Sequence, residues 1–383
     1  MPDVPLDDLD VAAGMVFGSL PRGDPWPGQG ERESPLKAIE AVVLEGLQQA
    51  PCHVSFSGGR DSSALLSLAT AVADREGLPR PVPITARFQE EETDEDEWQQ
   101  LVLEHLGITE WIRVELTDEL DLLGPIGTRY LIRHGLRYPQ NVHFQEPLLQ
   151  IASGGSLLSG VGGDELFEPH RWARAAGVLA RSVPVQRSDI LAVGAALSPP
   201  MIRARVHHRG QMEMPVWLRP SGRRQLLRRL HLWLGEDAVR YDAHLDWWRR
   251  SRYINHGQRS LELLAEDHDV NFIAPFSEDR VMRALAADMG RVGFPSRTSA
   301  MHYLFGELLP QVTVERRSKA AFTSPLVGQA TRAFASVADP TTVLSEDLVD
   351  ADALRRTWQR EQFDIRSLPA LQLCWLAQVY SGG

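Results

Sequence analysis

The sequence predicts an α/β protein with a parallel-sheet core and a large, mostly helical C-terminal part. Short apolar segments with strand character alternate with segments of helical spacing between residues 52 and 135. That alternation is typical of a parallel sheet with helical crossovers. Two glycine-rich segments each follow a strand signal, so both are expected at the carboxyl ends of strands, where ligands bind in such folds. After about residue 180 the strand signals fade and helical patterns dominate.

Local signals justify the elements of the core in chain order. Pro35 favours the first turn of a helix, because its fixed φ suits that position. Gly107 is a good C-terminal stop for the helix before it, and residues 111–116 alternate as a strand does. We therefore expect helices over 35–49, from the loop after Phe56 to about Arg75, from the acidic run 90–96 to Leu106, and over 120–135, with strands before Ser57, over 82–88 and over 111–116.

Three segments are expected along the chain of 383 residues. Residues 1–34 are rich in Pro, Gly and Asp, which indicates an extended or disordered arm. Residues 35–180 form the predicted nucleotide-binding core, and residues 181–383 form the helical part. The 43% apolar content is enough for a large core.

The composition disfavours several classes of protein. A net charge of −11 argues against nucleic acid as the main partner, because phosphate backbones are bound through clustered positive charge. No stretch approaches 18 apolar residues, so no transmembrane helix is expected. The apolar segment 11–20 follows acidic residues rather than the basic ones of a signal peptide, so we expect a cytoplasmic protein. Cys52 and Cys374 lack disulfide or zinc spacing and are expected to be small buried residues.

A basic segment lies in the predicted helical part. Residues 201–260 contain many Arg and four Trp. Solvated helix faces with aromatic core anchors explain this composition, and a groove for an acidic or peptidic substrate is the alternative.

The segment Ser57–Ser63, Ser-Gly-Gly-Arg-Asp-Ser-Ser, is the most informative in the chain. A strand that ends in small residues and opens a helix aims several backbone N–H groups at one point, which attracts phosphate. The segment lacks the Lys of the loop found in kinases and GTPases. It resembles the SGGxDS pyrophosphate loop (PP-loop) of enzymes that split ATP into AMP and pyrophosphate. Helix capping by Asp61 and Ser62 is the alternative, but it leaves the paired glycines unexplained.

Three further segments extend this resemblance. Ser159–Phe167 reads Ser-Gly-Val-Gly-Gly-Asp-Glu-Leu-Phe after an apolar strand signal. Together with SGGxDS upstream, it closely resembles the asparagine synthetase family. Residues 308–325 resemble the family's L-P-x(n)-R-x-K-x-x-F-x-x-P stretch, and residues 271–279 resemble a divergent R-x-P-F-x-D segment. The four matches follow the family order over roughly residues 36 to 330.

The resemblance implies a PP-loop enzyme that uses ATP and Mg²⁺. In the family the second loop closes over ATP and supplies an acidic residue to the metal, so Asp61 and Asp164 match the metal-binding positions. A helix cap and a turn residue are the alternatives for these two. The residues implied in nucleotide binding are Ser57, Gly58, Gly59, Asp61, Ser62, Ser63, Ser159 and Gly160.

Two basic residues match the third segment. Lys319 would lie against the α-phosphate and later stabilise an oxyanion, and Arg317 would be a second phosphate clamp. Lys37 and Lys319 are the only lysines of the chain, and a compact ammonium suits a crowded phosphate site better than a guanidinium. A surface basic pair is the alternative for Arg317 and Lys319.

The sequence departs from the family pattern at two positions. Asparagine synthetases begin with a Cys that releases ammonia from glutamine, whereas residue 2 here is Pro and about 35 residues precede the matched region. No glutaminase domain is therefore expected. Val161 stands where those enzymes have a Glu that is thought to deprotonate the amine. The sequence therefore does not identify the base that deprotonates the amine. Four residues near the second loop are candidates, and a structural role is the alternative for each: His143, Glu146, Glu168 and His170.

These features predict an amide-bond-forming synthetase that adenylates a carboxylate and transfers the acyl group to an amine. Relatives that close β-lactam or lasso-peptide rings vary at the Val161 position, which favours specialised or peptide natural-product biosynthesis, such as macrolactam formation. The expected partners are a small-molecule or peptide carboxylate and amine, with a separate precursor peptide or partner subunit as further candidates, and neither nucleic acid nor membrane.

Three other functions are alternatives. Ammonia-dependent asparagine synthesis would use the same loops. A degenerate, non-catalytic partner protein would account for Val161. A tRNA-thiolating enzyme with the same loop is disfavoured by the two isolated cysteines and the negative charge.

Overall fold

Five parallel strands form one sheet in the computed structural model, which describes residues 5–22, 33–88, 95–117, 119–208, 213–316 and 326–381, with the backbone alone at residues 88, 207 and 208. The strands are β1 (Cys52–Ser55), β2 (Val82–Phe88), β3 (Ile112–Leu116), β4 (Ser156–Leu158) and β5 (Asn271–Ile273). They lie in the order β3-β2-β1-β4-β5, and every neighbouring pair is parallel. The predicted α/β fold with a parallel-sheet core is confirmed.

The strand order reverses beside β1. The chain moves from β1 outward to β2 and β3, then returns to place β4 on the other side of β1. In open parallel sheets a crevice forms beyond the carboxyl ends of the strands at such a reversal, and ligands bind there. Both predicted glycine loops follow the two strands at this point, since one comes after β1 and the other after β4.

Helices cover the sheet and form the C-terminal part. The α-helices of the described residues are α1 (Asp8–Ala13), α2 (Pro35–Leu47), α3 (Arg60–Glu76), α4 (Asp96–Leu106), α5 (Pro125–His134), α6 (Glu146–Ile151), α7 (Gly163–Phe167), α8 (Ala173–Leu179), α9 (Asp189–Ala196), α10 (Pro200–His208), α11 (Pro220–Glu236), α12 (Tyr241–Arg249), α13 (Arg252–Asp267), α14 (Asp279–Met289), α15 (Arg297–Phe305), α16 (Gln311–Val314), α17 (Gln329–Ala335), α18 (Ala351–Trp358) and α19 (Leu368–Ser381). Short 3-10 turns lie at Val142–Gln145, Pro275–Ser277, Pro340–Thr342 and Ile365–Ser367. Within these described helices, none combines the length and the apolar character needed to cross a bilayer.

Two apolar layers hold the helices on the sheet. On one face, α2, α3, α4 and α14 pack around Phe56, Leu65 and Leu158. On the other face, α5, α6 and α13 pack around Ile84, Leu157 and Leu261. Burial on both faces explains why the central strands β1 and β4 are buried along almost their whole length, whereas the edge strand β3 alternates between half-buried and exposed residues.

The core elements begin and end close to the predicted residues, with two differences. The helix expected over 120–135 begins at Pro125, because residues 121–124 form turns that contact the segment around Leu326. The sheet takes β5 from beyond residue 180, so the boundary expected there does not separate the sheet from the helical part. A strand of three residues is too short for a clear alternation signal.

The N-terminal segment differs from the expected extended or disordered arm where it is described. Residues 8–13 form α1, whose N-terminus has a capping box between Asp7 and Asp10. Leu9, Val11 and Ala12 are buried in the helical part, and Trp217 donates its indole N–H to the carbonyl of Ala12 at 2.7 Å. A helix of six residues leaves too short a pattern to be recognised in the sequence. The Pro- and Gly-rich residues 23–32 lie outside the described residues.

A buried carboxylate joins this segment to the helical part. The Asp10 side chain is 1% exposed, and it accepts hydrogen bonds from Arg252 at 2.6 Å and from Arg229 at 2.8 Å. Both arginines are partly buried, so water screens these ion pairs only in part.

We expect Asp10→Ala to lower the free energy of unfolding by about 3 kcal/mol, because it removes one partner of a buried charge network. Chemical denaturation measures the change. Asp8→Ala is the matched control, since Asp8 is exposed on the same helix, and it should cost less than about 0.5 kcal/mol. Equal effects of the two substitutions would contradict this role of Asp10.

Candidate active site

The first glycine loop connects β1 to α3 and is held by its own side chains. Ser62 Oγ accepts a hydrogen bond from the backbone N–H of Ser57 at 3.2 Å and donates to the carbonyl of Gly59 at 3.1 Å. Gly58 has a left-handed φ of +81°, and a Cβ there would lie 2.8 Å from the Gln99 side chain. Gln99 also donates to the Ser57 carbonyl at 3.1 Å. The loop is therefore a fixed turn that requires glycine at position 58.

The second glycine loop packs directly on the first. A Cβ at Gly163 would lie 2.5 Å from the Asp61 carboxyl carbon, and one at Gly160 would lie 3.3 Å from the Ser62 nitrogen. Larger residues at these two positions would push the loops apart. The glycines of Ser159–Phe167 thus allow the two backbones to approach closely.

Aromatic packing holds the second loop in place. Leu166 and Phe167, in α7, are fully buried. The Phe167 ring makes edge contacts with Phe276 at 4.9 Å and with Phe305 at 5.8 Å between ring centroids. Because α7 has only five residues, this packing rather than helix propensity holds Asp164 at the front of the loop.

One guanidinium joins the two predicted metal-binding carboxylates. Arg297, the first residue of α15, donates to Asp61 at 2.5 Å, to Asp164, and to Glu168 at 3.3 Å. Burial by itself would lower the pKa of Arg297, but the charge of Asp61 and the hydrogen bonds to Asp61 and Asp164 outweigh it, so that pKa lies above its ordinary value. Arg297 therefore stays charged, and the sequence-predicted Asp61 and Asp164 lie at one point.

Sequence reasoning did not find Arg297. A cation at a helix N-terminus opposes the helix dipole, so its position is explained by the carboxylates and not by helix stability. Arg immediately after the capping residue Ser296 is the one local signal that could have drawn attention to it.

A second guanidinium lies close to the first. Arg60, in the first loop, has a pKa that burial lowers and that the nearby charge of Arg297 lowers further, although Asp61 opposes this. Two guanidinium groups and the carboxylates of Asp61, Asp164 and Glu168 therefore lie together at the end of β1.

The carboxylates fit a magnesium ion. Mg²⁺ prefers oxygen ligands and needs only one or two carboxylates when phosphates and water supply the rest. Asp61 and Asp164 are the residues that would hold it, and the ion would neutralise phosphate charge. No group of three or more metal-ligating side chains occurs in the part of the chain that the structure describes, so a metal site here would depend on ligands from a bound phosphate.

The remaining loop residues differ in what they offer to a nucleotide. Ser63 is fully buried, and its backbone N–H donates to the Gly59 carbonyl at 2.9 Å. Ser159 is also buried, and its backbone N–H donates to the Ile273 carbonyl at 2.9 Å. Both therefore serve the fold through their backbone N–H groups, and their nucleotide contacts stay predictions, as do those of Ser57, Gly58, Gly59, Ser62 and Gly160.

The Arg316 side chain contacts the first loop. Its guanidinium is buried, donates to the Gly58 carbonyl at 2.8 Å, pairs with Glu95 and lies 4.5 Å above the Trp98 ring. Arg317 and Lys319 follow directly but lie outside the described residues, so their catalytic roles stay predictions. Sequence reasoning passed over Arg316, which connects the third matched segment to the first.

The candidate bases near the second loop have structural contacts. The imidazole of His143 is buried against the Leu120 carbonyl at 3.0 Å, and burial lowers its pKa. The imidazole of His170 lies 3.0 Å from the Val239 carbonyl, and burial lowers its pKa to about 4. Glu146 is buried beside Arg129, whereas Glu168 belongs to the carboxylates around Arg297.

A cavity of about 540 Å³ lies beside the loops. Ser57 and Gly162 are in its wall, so it borders both loops, and Val161 contributes an exposed apolar side chain to the same wall. Most other lining residues are apolar and come from β2, the turn Val142–Gln145, α13 and β5.

A family comparison covers almost the whole described site. The model of the family described as asparagine synthase matches residues 39–378. A search of the curated proteins found no match. The matched span includes both glycine loops, Arg297 and Arg316.

We expect Arg297→Ala to lower the melting temperature, because the carboxylates of Asp61, Asp164 and Glu168 then face one another without the guanidinium. Mg²⁺ at 10 mM should recover part of the loss, since binding at roughly ten times Kd contributes about 1.4 kcal/mol. Scanning fluorimetry with and without Mg²⁺ measures both effects.

Arg283→Ala is the matched control, because Arg283 is exposed and pairs with Asp279, away from both glycine loops. Its melting temperature should change little and should not depend more on Mg²⁺ than that of the unaltered protein. The same Mg²⁺ response in both variants would contradict the proposed role of Arg297.

Proposed function

Since the chain belongs to the asparagine synthase family, whose members are ATP-dependent ligases that form carbon–nitrogen bonds, we propose that it activates a carboxylate with ATP and joins it to an amine. A bare carboxylate is a poor electrophile and needs activation. In the proposed reaction a carboxylate oxygen attacks the α-phosphorus of ATP and pyrophosphate leaves. The amine nitrogen then attacks the acyl carbon, loses a proton, and AMP leaves.

The observation that carries this proposal is the meeting of Asp61 and Asp164 on Arg297. The two carboxylates, from different loops, would supply the ligands for Mg²⁺. The N-terminus of α3 beside them would supply backbone N–H groups that bind an anion. Phosphoryl chemistry depends mainly on positioning and charge neutralisation, which this arrangement favours. We therefore assign Asp61 and Asp164 to Mg²⁺ and the loop Ser57–Ser63 to pyrophosphate, through backbone N–H groups other than those of Ser57, Gly59 and Ser63, which donate within the loop.

Lys319 and Arg317 complete the proposed site. The Arg316 guanidinium contacts the carbonyl of Gly58 in the first loop, and Arg317 and Lys319 follow Arg316 closely in the sequence. We propose that Lys319 contacts the α-phosphate and later the oxyanion, and that Arg317 clamps a second phosphate.

A substrate amine is favoured over ammonia. Val161 lies in the cavity wall where a carboxylate base would be needed for ammonia, and it cannot accept a proton. The cavity also offers far more room than ammonia needs. We propose a role in specialised or peptide biosynthesis, of which macrolactam formation is one example.

We expect Asp61→Asn and Asp164→Asn to abolish Mg²⁺-dependent pyrophosphate release from ATP with a panel of carboxylates. Lys319→Ala should lower the rate by about 10²–10³, the usual cost of losing one preorganised donor. Lys37→Ala is the matched control, because Lys37 is the only other lysine and is exposed. Unchanged activity in folded Lys319→Ala would falsify its assignment.

Two measurements test the alternative functions. Calorimetric titration with ATP and Mg²⁺ should show metal-dependent binding, which a non-catalytic partner protein would lack. Pyrophosphate release with aspartate and ammonium should be weak. If aspartate were the best acid of the panel and ammonium the best amine, the proposal of a substrate amine would be wrong.

A further inference from the structure

The cavity beside the loops has walls that are fixed by the fold. One wall is the face of α13 that carries Tyr253, Gly257 and Leu261, and the segment with Tyr138 and Val142 also lines the cavity. Ser260 in α13 donates to the Tyr138 carbonyl at 2.9 Å, which holds the helix on this segment. The volume of about 540 Å³ lies within the range of small-molecule sites. The space is therefore a built site rather than a gap between loosely packed elements.

The lining chemistry favours an apolar ligand. Glu165 is the one charged side chain among the described residues that line the cavity. Aspartate would bring an ammonium group, which suits Glu165, and a second carboxylate, which needs a cation that the described lining does not offer. Phe56, Ile84, Leu148 and Phe272 instead present hydrocarbon surface. An acid with an apolar body would gain from burial there, at about fourfold in affinity for each methylene removed from water.

A helical glycine, Gly257, lines the cavity. Gly257 lies in the interior of α13, where glycine costs stability relative to alanine. At two other helical glycines a close contact explains the residue, since a Cβ would lie 2.7 Å from the Leu158 side chain at Gly46 and 2.7 Å from the Leu348 carbonyl at Gly222. At Gly257 the nearest atom is 3.6 Å away, at Pro139. The absence of a side chain there leaves cavity volume instead of permitting close packing.

We propose that this cavity binds the carboxylate substrate by a bulky apolar body, and that Gly257 determines how long that body can be. The identity of the ligand as a substrate rests on the proposed function, whereas the binding of an apolar acid in the cavity does not. The carboxyl group would face the loops at Ser57 and Gly162, and the apolar body would extend along α13.

A chain-length series tests the proposal. Butyrate, hexanoate and octanoate are compared with aspartate in Mg²⁺·ATP-dependent pyrophosphate release. We expect kcat/KM to rise about fourfold per methylene and to exceed the value for aspartate. Gly257→Leu should lower kcat/KM for octanoate, the longest acid, by tenfold or more. The Kd of Mg²⁺·ATP should stay within twofold of that of the unaltered protein. Gly257→Ala should show a smaller loss and keeps the helix, since alanine favours it.

Gly194→Leu is the matched control. Gly194 is exposed in α9, and a Cβ there meets nothing within 4 Å, so the variant should leave the chain-length series unchanged. A preference for aspartate, or a series without chain-length dependence, would overturn the proposal. Weaker binding of Mg²⁺·ATP in Gly257→Leu would also overturn it, because the cavity would then hold the nucleotide base.

Direct binding separates this inference from the proposed function. If no acid supports pyrophosphate release, the reaction proposal fails, and calorimetric titration with octanoate then decides the cavity proposal alone. Binding that weakens by tenfold or more in Gly257→Leu but not in Gly194→Leu supports it. Octanoate that fails to bind the unaltered protein, or binds equally to both variants, contradicts it.

Discussion

The contact of Arg297 with Asp61 and Asp164 is the interaction on which the site depends. Two glycine loops can approach as closely as they do only if the carboxylates they carry are neutralised, because like charges at that range repel strongly. Arg297 supplies the positive charge from a helix that belongs to neither loop. In the proposed function, the same arrangement offers carboxylate oxygens to Mg²⁺ and backbone N–H groups to a phosphate.

Packing beneath the loops makes this contact possible. The strand reversal beside β1 brings two strand ends together, and the Phe167, Phe276 and Phe305 rings fix the short helix that carries Asp164. Phe276 follows β5, and Phe305 ends α15, so the C-terminal half of the chain supports the second loop from two directions. The helical part is therefore a structural component of the nucleotide-binding core and not a separate attachment.

The apolar cavity adds a second feature to the same edge of the sheet. The charged groups lie around Asp61, whereas the hydrocarbon surface lies along α13 and β5. A polar reacting end beside an apolar compartment is the usual form of a small-molecule site. Val161, Ser57 and Gly162 lie where the two meet, so the cavity and the loops form one continuous candidate site.

The sequence by itself determined the α/β fold, both glycine loops and the positions of Asp61 and Asp164, because these follow from local apolar patterns and from motifs whose residues are neighbours in the chain. Only the tertiary structure decided that Arg297 joins those carboxylates, that Arg316 contacts Gly58 and that α1 is buried on the helical part. These contacts connect residues more than 100 positions apart in the sequence, and such pairs leave no periodic signal in either segment. Helix and sheet packing brings them together, which no local pattern encodes.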